Sequence, residues 1–532
     1  MTKLVGIDFG TSTTLIAVRE NQDSTPQILP IGRNTPWMPS VVAQTAPISV
    51  GESAIEADGQ LQIRSIKSGL TRGQDWLDEQ YLSIDNEQVK QYVIEILTEA
   101  KRRAEQVYPN LFSDAKFFFG CPALWSFGNR RILADVANDL GMDVDVLDVL
   151  DEPVAAGVHW VKATWKSGKA KVEGRTLVFD AGGGTLDVAL IETSGDQSPE
   201  VSVLAASSLP KSGDDVDYSI VDFLRQRDAQ LGNDELTTKI LTNAARQLKE
   251  ILSEENEASV QAENPVGKVI TLSRQDLEAI IETQVQESMR IVDRVLVESE
   301  IRVSSDISVA EARNRLSEIS TTVKNVLLVG GLSQIPLFRR RLQAKFNSAI
   351  VYSVENPQQA VAEGLTYADT VIHLNMPRPP LSFVIRPGLS SSEDVIYEAF
   401  SEIVDPHSAM QGYAYQGLTV DFDEYPDGDY EIMCVLPNRD KTVVSLVSAS
   451  SEVAKLNVSH LNRAENEKMG FTLYATGEFL VKGRGKRDKY RTKTWGRLAY
   501  GKDLDDLKIE IESINGKTWS DDRNDSAASS RK

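Results

Sequence analysis

Three glycine-rich segments stand beside residues able to handle phosphate or a hard cation. They are Asp8-Phe9-Gly10-Thr11-Ser12-Thr13, Asp180-Ala181-Gly182-Gly183-Gly184-Thr185-Leu186-Asp187, and Gly330-Gly331-Leu332-Ser333-Gln334-Ile335-Pro336. Glycines lack a Cβ, so backbone N–H groups can approach phosphate oxygens, and neighbouring hydroxyls add donors. An aspartate at a strand end offers oxygen to a hydrated Mg²⁺, a cation that keeps much of its water. Two such turns facing each other would clamp a polyphosphate from both sides. Other phosphate-binding patterns are absent. No GxxxxGK[ST] occurs, and the turns open onto strands, whereas a dinucleotide fingerprint opens a helix. Taken singly, each segment reads as a tight turn. Together, in this order and with these aspartates, they read as a phosphate site.

Such turns need flanking strands. Residues 4–18 form an apolar strand, a turn and a second strand. Arg175–Asp180, the glycine turn and Leu186–Glu192 repeat that plan, which predicts a duplicated core. A strand over 324–329 leads into Gly330-Gly331, and a basic helix over 336–346 follows with Pro336 in its first turn. Periodicity predicts helices over 87–107, 129–140, 216–256 and 274–300, and strands over 115–121 and 144–150.

The 532 residues allow about three or four domains. With 41% hydrophobic and 25% charged residues, a packed core is expected. Lys and Arg total 57 and Asp and Glu 78, a net charge of −21, which opposes general binding to nucleic acid or anionic membranes. Cys121 and Cys434 form no CxxC, and His159, His373, His407 and His460 show no metal-ligand spacing. The start of the chain runs straight into a strand, without the pattern of a signal peptide, and no apolar run matches a membrane span. A cytoplasmic location is expected.

VGIDFGTSTT (5–14), LVFDAGGGTLDVALIE (177–192) and VLLVGGLSQIP (326–336) resemble the two phosphate motifs and the adenosine motif of actin-like ATPases. Within that superfamily the chain resembles the heat-shock protein 70 (DnaK-type) chaperones. LDEPVAAG (150–157) is similar to their connecting motif and FFGCPALWSFGNRR (118–131) to their proline-switch segment. The resemblance covers about residues 1–370. It implies an α/β class with a duplicated actin-like ATPase fold of ribonuclease H-like lobes, followed by a smaller β-rich domain. The divisions expected are 1–375 for the nucleotide-binding domain, 376–519 for the β-rich domain and 520–532 for a disordered tail.

The resemblance also implies roles. Asp8, Asp180 and Asp187 would surround Mg²⁺ and the attacking water, mostly through water. Gly10, Thr11, Ser12, Thr13, Gly182, Gly183, Gly184 and Thr185 would cradle the phosphates. Lys67 would be the catalytic lysine, and Glu152 would orient the water and sense the γ-phosphate, with Asp180 and Thr185 completing the catalytic set. Gly213, Lys249, Ser253, Gly330, Gly331 and Gln334 would hold the nucleoside. Pro122 and Arg130 would relay nucleotide state to the partner domain; the plainer alternatives are a strand terminator and a helix-surface charge. The nucleoside side departs from the family: Arg246 stands where a Glu is usual, Glu250 where an Arg is usual, Gln334 replaces the Arg that stacks on adenine, and Gln358 replaces an Asp.

Beyond residue 376 the sequence turns β-like, over 430–436, 442–447, 470–474 and 507–514. Thr370–Asn375 is a distant match to the family's apolar linker, Pro380–Ile385 faintly resembles its first sandwich strand, and no long helical segment follows, so a lid is not expected. Residues 482–497 carry eight cations against Asp488, which suits a sheet edge or docking of an acidic partner, nucleic acid or the acidic ATPase lobe. The function expected is slow ATP hydrolysis, with ATP/ADP and Mg²⁺ as cofactors, coupled to binding of a polypeptide client and served by a co-chaperone or exchange factor. The alternative is a nucleotide-dependent scaffold or assembly component with a specialised partner. A carbohydrate kinase is disfavoured by the connecting and switch motifs.

Overall fold

The apolar run Lys3–Phe9 is buried almost throughout, as a strand covered on both faces must be. It forms β1 in a computed structural model of the chain. The described residues are 2–368, apart from 22–23, 74–75, 77–84, 124, 126, 146–147, 169–171, 196–198 and 304–308. To these are added 382–387, 394–398, 401, 418–421, 429–435, 443–445, 455–457, 470–473, 478–483, 486–492 and 511–513. The expected linker over 370–375, the tail over 520–532 and the basic residues Arg484, Lys493 and Arg497 lie outside them. Contacts divide the chain into two compact units. One comprises Met1–Val201, Ala206–Val295 and Ser320–Ile372; the other comprises Ser202–Ala205, Leu296–Ile319 and His373–Lys532.

Two sheets of matching topology organise the first unit. β1 is joined by β2 (Thr13–Arg19), β3 (Gln27–Ile28), β4 (Met38–Pro39), β5 (Ala115–Cys121) and β6 (Val149–Asp151), in the order β3-β2-β1-β5-β6 with β4 on β2. The second sheet holds β7 (Gly174–Ala181), β8 (Leu186–Ser194), β9 (Glu200–Leu209), β10 (Val323–Val329) and β11 (Ile350–Ser353), in the order β9-β8-β7-β10-β11. In each, an antiparallel hairpin supplies the central strand and two parallel strands extend it. The duplication predicted from the two glycine turns is therefore present in the strand order.

Helices fill the connections: α1 (Ile66–Arg72), α2 (Asn86–Val107), α3 (Phe127–Asp139), α4 (Glu152–Ser167), α5 (Gly213–Arg227), α6 (Glu235–Glu254), α7 (Arg274–Val303), α8 (Pro336–Lys345) and α9 (Ala360–Leu365). The helix expected over 216–256 is two helices. The chain breaks at 228–234, and Asp234 starts α6 by accepting the Thr237 N–H at 3.0 Å. The strand expected over 144–150 is reduced to Val149–Asp151. Asn138 takes both backbone groups of Val144, accepting its N–H at 3.0 Å and donating to its carbonyl at 2.8 Å, which removes them from any ladder. Strand Glu200–Leu209 and the hairpin Glu257–Gln261/Val269–Ser273 add to the elements expected.

α4 and α9 pack backbone to backbone. A Cβ on Gly364 would lie 1.9 Å from the Ala155 carbonyl oxygen, so only glycine fits there. One residue earlier, Glu363 Oε2 faces His159 Nε2 at 3.4 Å. Burial pushes the Glu363 carboxyl up to about 7 and the His159 imidazole down to about 4. A carboxyl raised by folding costs stability as pH climbs from its unfolded value toward 7, and the cost is complete above that. The lowered imidazole acts oppositely: its cost is absent above its unfolded value and grows as pH falls toward 4. Glu363→Gln keeps a neutral donor for His159 at every pH. Thermal melts should show this variant more stable than the unsubstituted chain at pH 8, with the advantage gone at pH 5.

The second unit is β-rich, as expected. Two five-stranded sheets are antiparallel throughout. One contains Ser382–Pro387 and the other Gly470–Leu473. The buried Phe383 and Phe471 rings, one from each sheet, meet at 5.1 Å. Every described element beyond residue 381 is a strand.

Candidate functional site

The two glycine hairpins fold by the same local rule. The Gly10 N–H bonds the Thr13 carbonyl at 2.9 Å, and the Gly182 N–H bonds the Thr185 carbonyl at 3.0 Å. In each, the aspartate near the end of the first strand is paired across the hairpin: Asp8 with Leu15, Asp180 with Asp187. The turns press together. A Cβ on Gly183 would lie 2.6 Å from Ser12 Oγ, and one on Gly184 would lie 2.7 Å from Thr11 Oγ1.

Between them opens a cleft of about 560 Å³. It is lined by Asp8, Gly10, Thr11, Ser12, Thr13, Lys67, Glu152, Asp180, Gly182, Gly183, Thr185, Asp187, Gly213, Lys249, Ser253, Gly330, Gly331 and Gln334. Sequence motifs from Asp8 to Gln334 are thus gathered around one cavity. Gly184 sits just behind this lining: a Cβ there would lie 2.5 Å from Ser68 Oγ and 2.7 Å from Thr11 Oγ1. Pro122 and Arg130 lie off the cleft as well. Trp37, Asp214, Glu254, Leu332, Ile335, Pro357 and Val361 line it in addition to the residues expected. For Asp214 the signal in the sequence is its adjacency to Gly213; for Trp37 no local pattern points inward.

Electrostatics dominate the deep end. Lys67, second residue of α1, is 3% exposed and ion-paired to Glu152, first residue of α4. Burial alone would lower the Lys67 ammonium, but Glu152 and Asp8 outweigh it and hold the group above its ordinary range. Burial raises Asp8 to about 7, with Glu152 adding and Lys67 opposing. It raises Asp187 to about 7, with Glu152 adding, against hydrogen bonds from Thr185, the Ala123 N–H and Ser208. Burial also raises Asp180 well above its usual range, reinforced by Glu152, Asp187 and Asp8.

Off the cleft, Arg130 is 1% exposed, so the surface-charge alternative fails. It donates to the Trp125 carbonyl at 3.1 Å, to the Val149 carbonyl at 2.7 Å and to the Asp151 carboxylate. Asp151 precedes Glu152. The Ala123 N–H, next to Pro122, donates to Asp187 Oδ1 at 2.7 Å. Arg130 and the residue after Pro122 therefore both reach groups that hold or neighbour cleft carboxylates.

The wall expected to face the nucleoside is a charge network. Arg246 Nε lies 3.2 Å from Asp217 and its guanidinium 3.4 Å from Asp214. Lys249 donates to the Gly213 carbonyl at 2.6 Å and lies 2.6 Å from Asp217. Gln334 donates to Ser333 Oγ at 3.2 Å. Gly331 faces open space, and a Cβ added there would meet no atom within 4 Å.

The donor set fits a hydrated divalent cation. Asp8, Asp180 and Asp187 are hard oxygen donors in a pocket with surplus negative charge. Among the described residues no three acidic, histidine or cysteine side chains converge closely enough to bind a bare ion, so contact through water is the arrangement they suit.

A family model described as Hsp70 protein matches residues 68–376, more than half of the chain. The chain belongs to the heat-shock protein 70 family. Among its relatives, the chaperone protein DnaK of Thermotoga neapolitana is 29% identical over 377 residues, 68% of this chain and 58% of that protein. DnaK of Thermosipho africanus is 28% identical over 380 residues, covering 68% and 58%. DnaK of Psychrobacter cryohalolentis is 26% identical over 416 residues, covering 70% and 59%. The chain thus spans less than two thirds of the length of these heat-shock protein 70 relatives. Its fold, two lobes of matching sheet order around one cleft, is the family's actin-like ATPase fold. No helix among the described residues is long and apolar enough to cross a membrane.

Removing Arg130 would strand the buried Asp151 carboxylate and two carbonyls. Arg130→Ala is expected to cost about 3–5 kcal/mol of unfolding free energy, measured by chemical denaturation.

Proposed function

We propose that this chain is a heat-shock protein 70-like ATPase that binds and hydrolyses ATP with Mg²⁺ in the cleft and couples nucleotide state to polypeptide binding by its β-rich C-terminal region. The observation that carries this reading is the convergence of two Asp-Gly hairpins on the buried Lys67–Glu152 pair. Family membership supports it. The domain division proposed remains 1–375 and 376–519.

Bound Mg²⁺ would supply charge neutralisation of the polyphosphate, held through water by Asp8, Asp180 and Asp187. The chain's own groups do the rest. Backbone N–H groups of the Gly10–Thr13 and Gly182–Thr185 turns, with their hydroxyls, hold phosphate oxygens in place. Lys67 stabilises charge that develops on the transferred phosphoryl group, and its pairing with Glu152 fixes the direction of the ammonium. Glu152 orients the attacking water and takes part in moving its proton. Such a site works by positioning and preorganised charge. Pro122 and Arg130, through Asp187 and Asp151, couple the occupied cleft to the rest of the domain. ATP and ADP bias the attached region only to the extent that they bind its states differently.

A second reading is a dedicated scaffold with one specialised partner. It is favoured by the nucleoside wall, where Arg246 and Gln334 stand in place of the family's usual residues.

Calorimetric titration with ADP should give Mg²⁺-dependent heat that EDTA abolishes. Lys67→Ala should bind nucleotide yet lose at least about a hundredfold in single-turnover hydrolysis. Unchanged hydrolysis in that variant removes Lys67 from the mechanism. Extended peptides should bind the full chain with different affinity in ATP and ADP; equal or absent binding in both favours the scaffold.

A further inference from the structure

Ser65 is the residue before α1 and holds left-handed backbone angles, φ 58° and ψ 33°. A side-chain-bearing residue there is strained and persists only where its surroundings impose it. What imposes it comes from across the cleft: Ser65 Oγ donates to Asp214 Oδ2. Asp214 lies in the first turn of α5, and that turn is built on the second phosphate hairpin. The Gly213 N–H bonds the Gly182 carbonyl at 3.2 Å, and the Asp214 N–H bonds the Gly183 carbonyl at 2.8 Å.

α1 approaches that hairpin and α5 at two more points: a Cβ on Gly184 would lie 2.5 Å from Ser68 Oγ, and Arg72 lies 3.8 Å from Asp215. A continuous path of contacts therefore runs from the Gly182–Gly184 turn through Asp214 to Ser65, and two residues later to Lys67.

We propose that Ser65 and Asp214 are positioning residues for Lys67: their bond forms when the second phosphate turn is in place and holds the start of α1 so that the ammonium meets Glu152. This rests on the ATPase reading above. The pair touches no reacting atom. It makes the lysine's position depend on the lobe opposite the one that carries it, so hydrolysis requires both phosphate turns to be set.

Residue chemistry allows the bond and the backbone to be separated. Ser65→Gly keeps the left-handed conformation and deletes the donor. Ser65→Asn tolerates that conformation and restores a donor through its carboxamide. In the full chain, Ser65→Gly should slow single-turnover ATP hydrolysis about tenfold, the loss expected of one hydrogen bond to a charged group. Its affinity for Mg²⁺·ADP should change less than about threefold, since binding rests on the hairpins. Ser65→Asn should recover most of the rate. Asp214→Ala should slow hydrolysis at least as much, and adding Ser65→Gly to it should slow it no further. A Ser65→Gly rate equal to that of the unsubstituted chain, an Asn variant as slow as Gly, or additive losses in the double variant would each overturn the pair while leaving the ATPase reading intact. No Mg²⁺-dependent hydrolysis by the unsubstituted chain would overturn the ATPase reading and the pair with it.

Discussion

At the deep end of the cleft four largely buried carboxylates, Asp8, Glu152, Asp180 and Asp187, lie with one ammonium, Lys67. Two unit charges about 4 Å apart interact by about 4 kcal/mol at the effective dielectric of a protein interior. Burial of these carboxylates, with so concentrated an imbalance added to it, is a cost to the folded chain, and the upward displacement of three aspartates is that cost seen from the proton's side. Charge of this kind is kept where it is used. A phosphate alone would be repelled from it. A phosphate that arrives with a divalent cation is not, and backbone N–H groups of the glycine turns then meet the oxygens that the cation leaves free.

The matched sheets explain how one chain builds such a site. Each lobe brings a hairpin with an aspartate at the end of its first strand, and two similar lobes placed face to face present the same device from opposite sides. The asymmetry of the cleft comes from what is inserted between the repeated strands. In the first lobe the segment between β4 and β5 contributes α1 and Lys67. In the second, the segment between β9 and β10 contributes α5 and α6, which carry Asp214, Arg246 and Lys249. The first insertion places the buried Lys67 ammonium in the cleft, and the second places those three residues along it.

Much of this is legible because the glycine turns carry their own signature. A run of glycines beside an aspartate at a strand end has few uses, and apolar strands flank it on both sides. Arg130 is ambiguous for a physical reason: helical periodicity says which residues share a face, and a buried guanidinium that caps the Val149 carbonyl looks, in sequence, like a surface cation. Asn138 cannot be read as the residue that ends the strand expected at 144, because that effect is a side chain bonding backbone six residues away. Ser65 is beyond reach altogether. Nothing in Arg64-Ser65-Ile66 signals a left-handed conformation, since the bond that holds it comes from a residue 149 positions later.

The nucleoside wall shows how a charge reversal is absorbed. An arginine at position 246 would be an unpaired, half-buried cation if no acid faced it. Here its donors face Asp214 and Asp217, and Asp217 is shared with Lys249. Burial pulls the Arg246 guanidinium down, but those two acids outweigh it and hold its proton more firmly than usual. Within the wall Arg246 and Lys249 are therefore answered by Asp214 and Asp217, while Glu250 and Glu254 add further acid to the lining. Leu332, Ile335, Pro357 and Val361 complete the lining. On the nucleotide-binding reading proposed above, recognition at this end would rest on shape and apolar contact, which discriminate weakly between bases, and affinity would be carried by the phosphate end, where the hairpins and the buried charges lie.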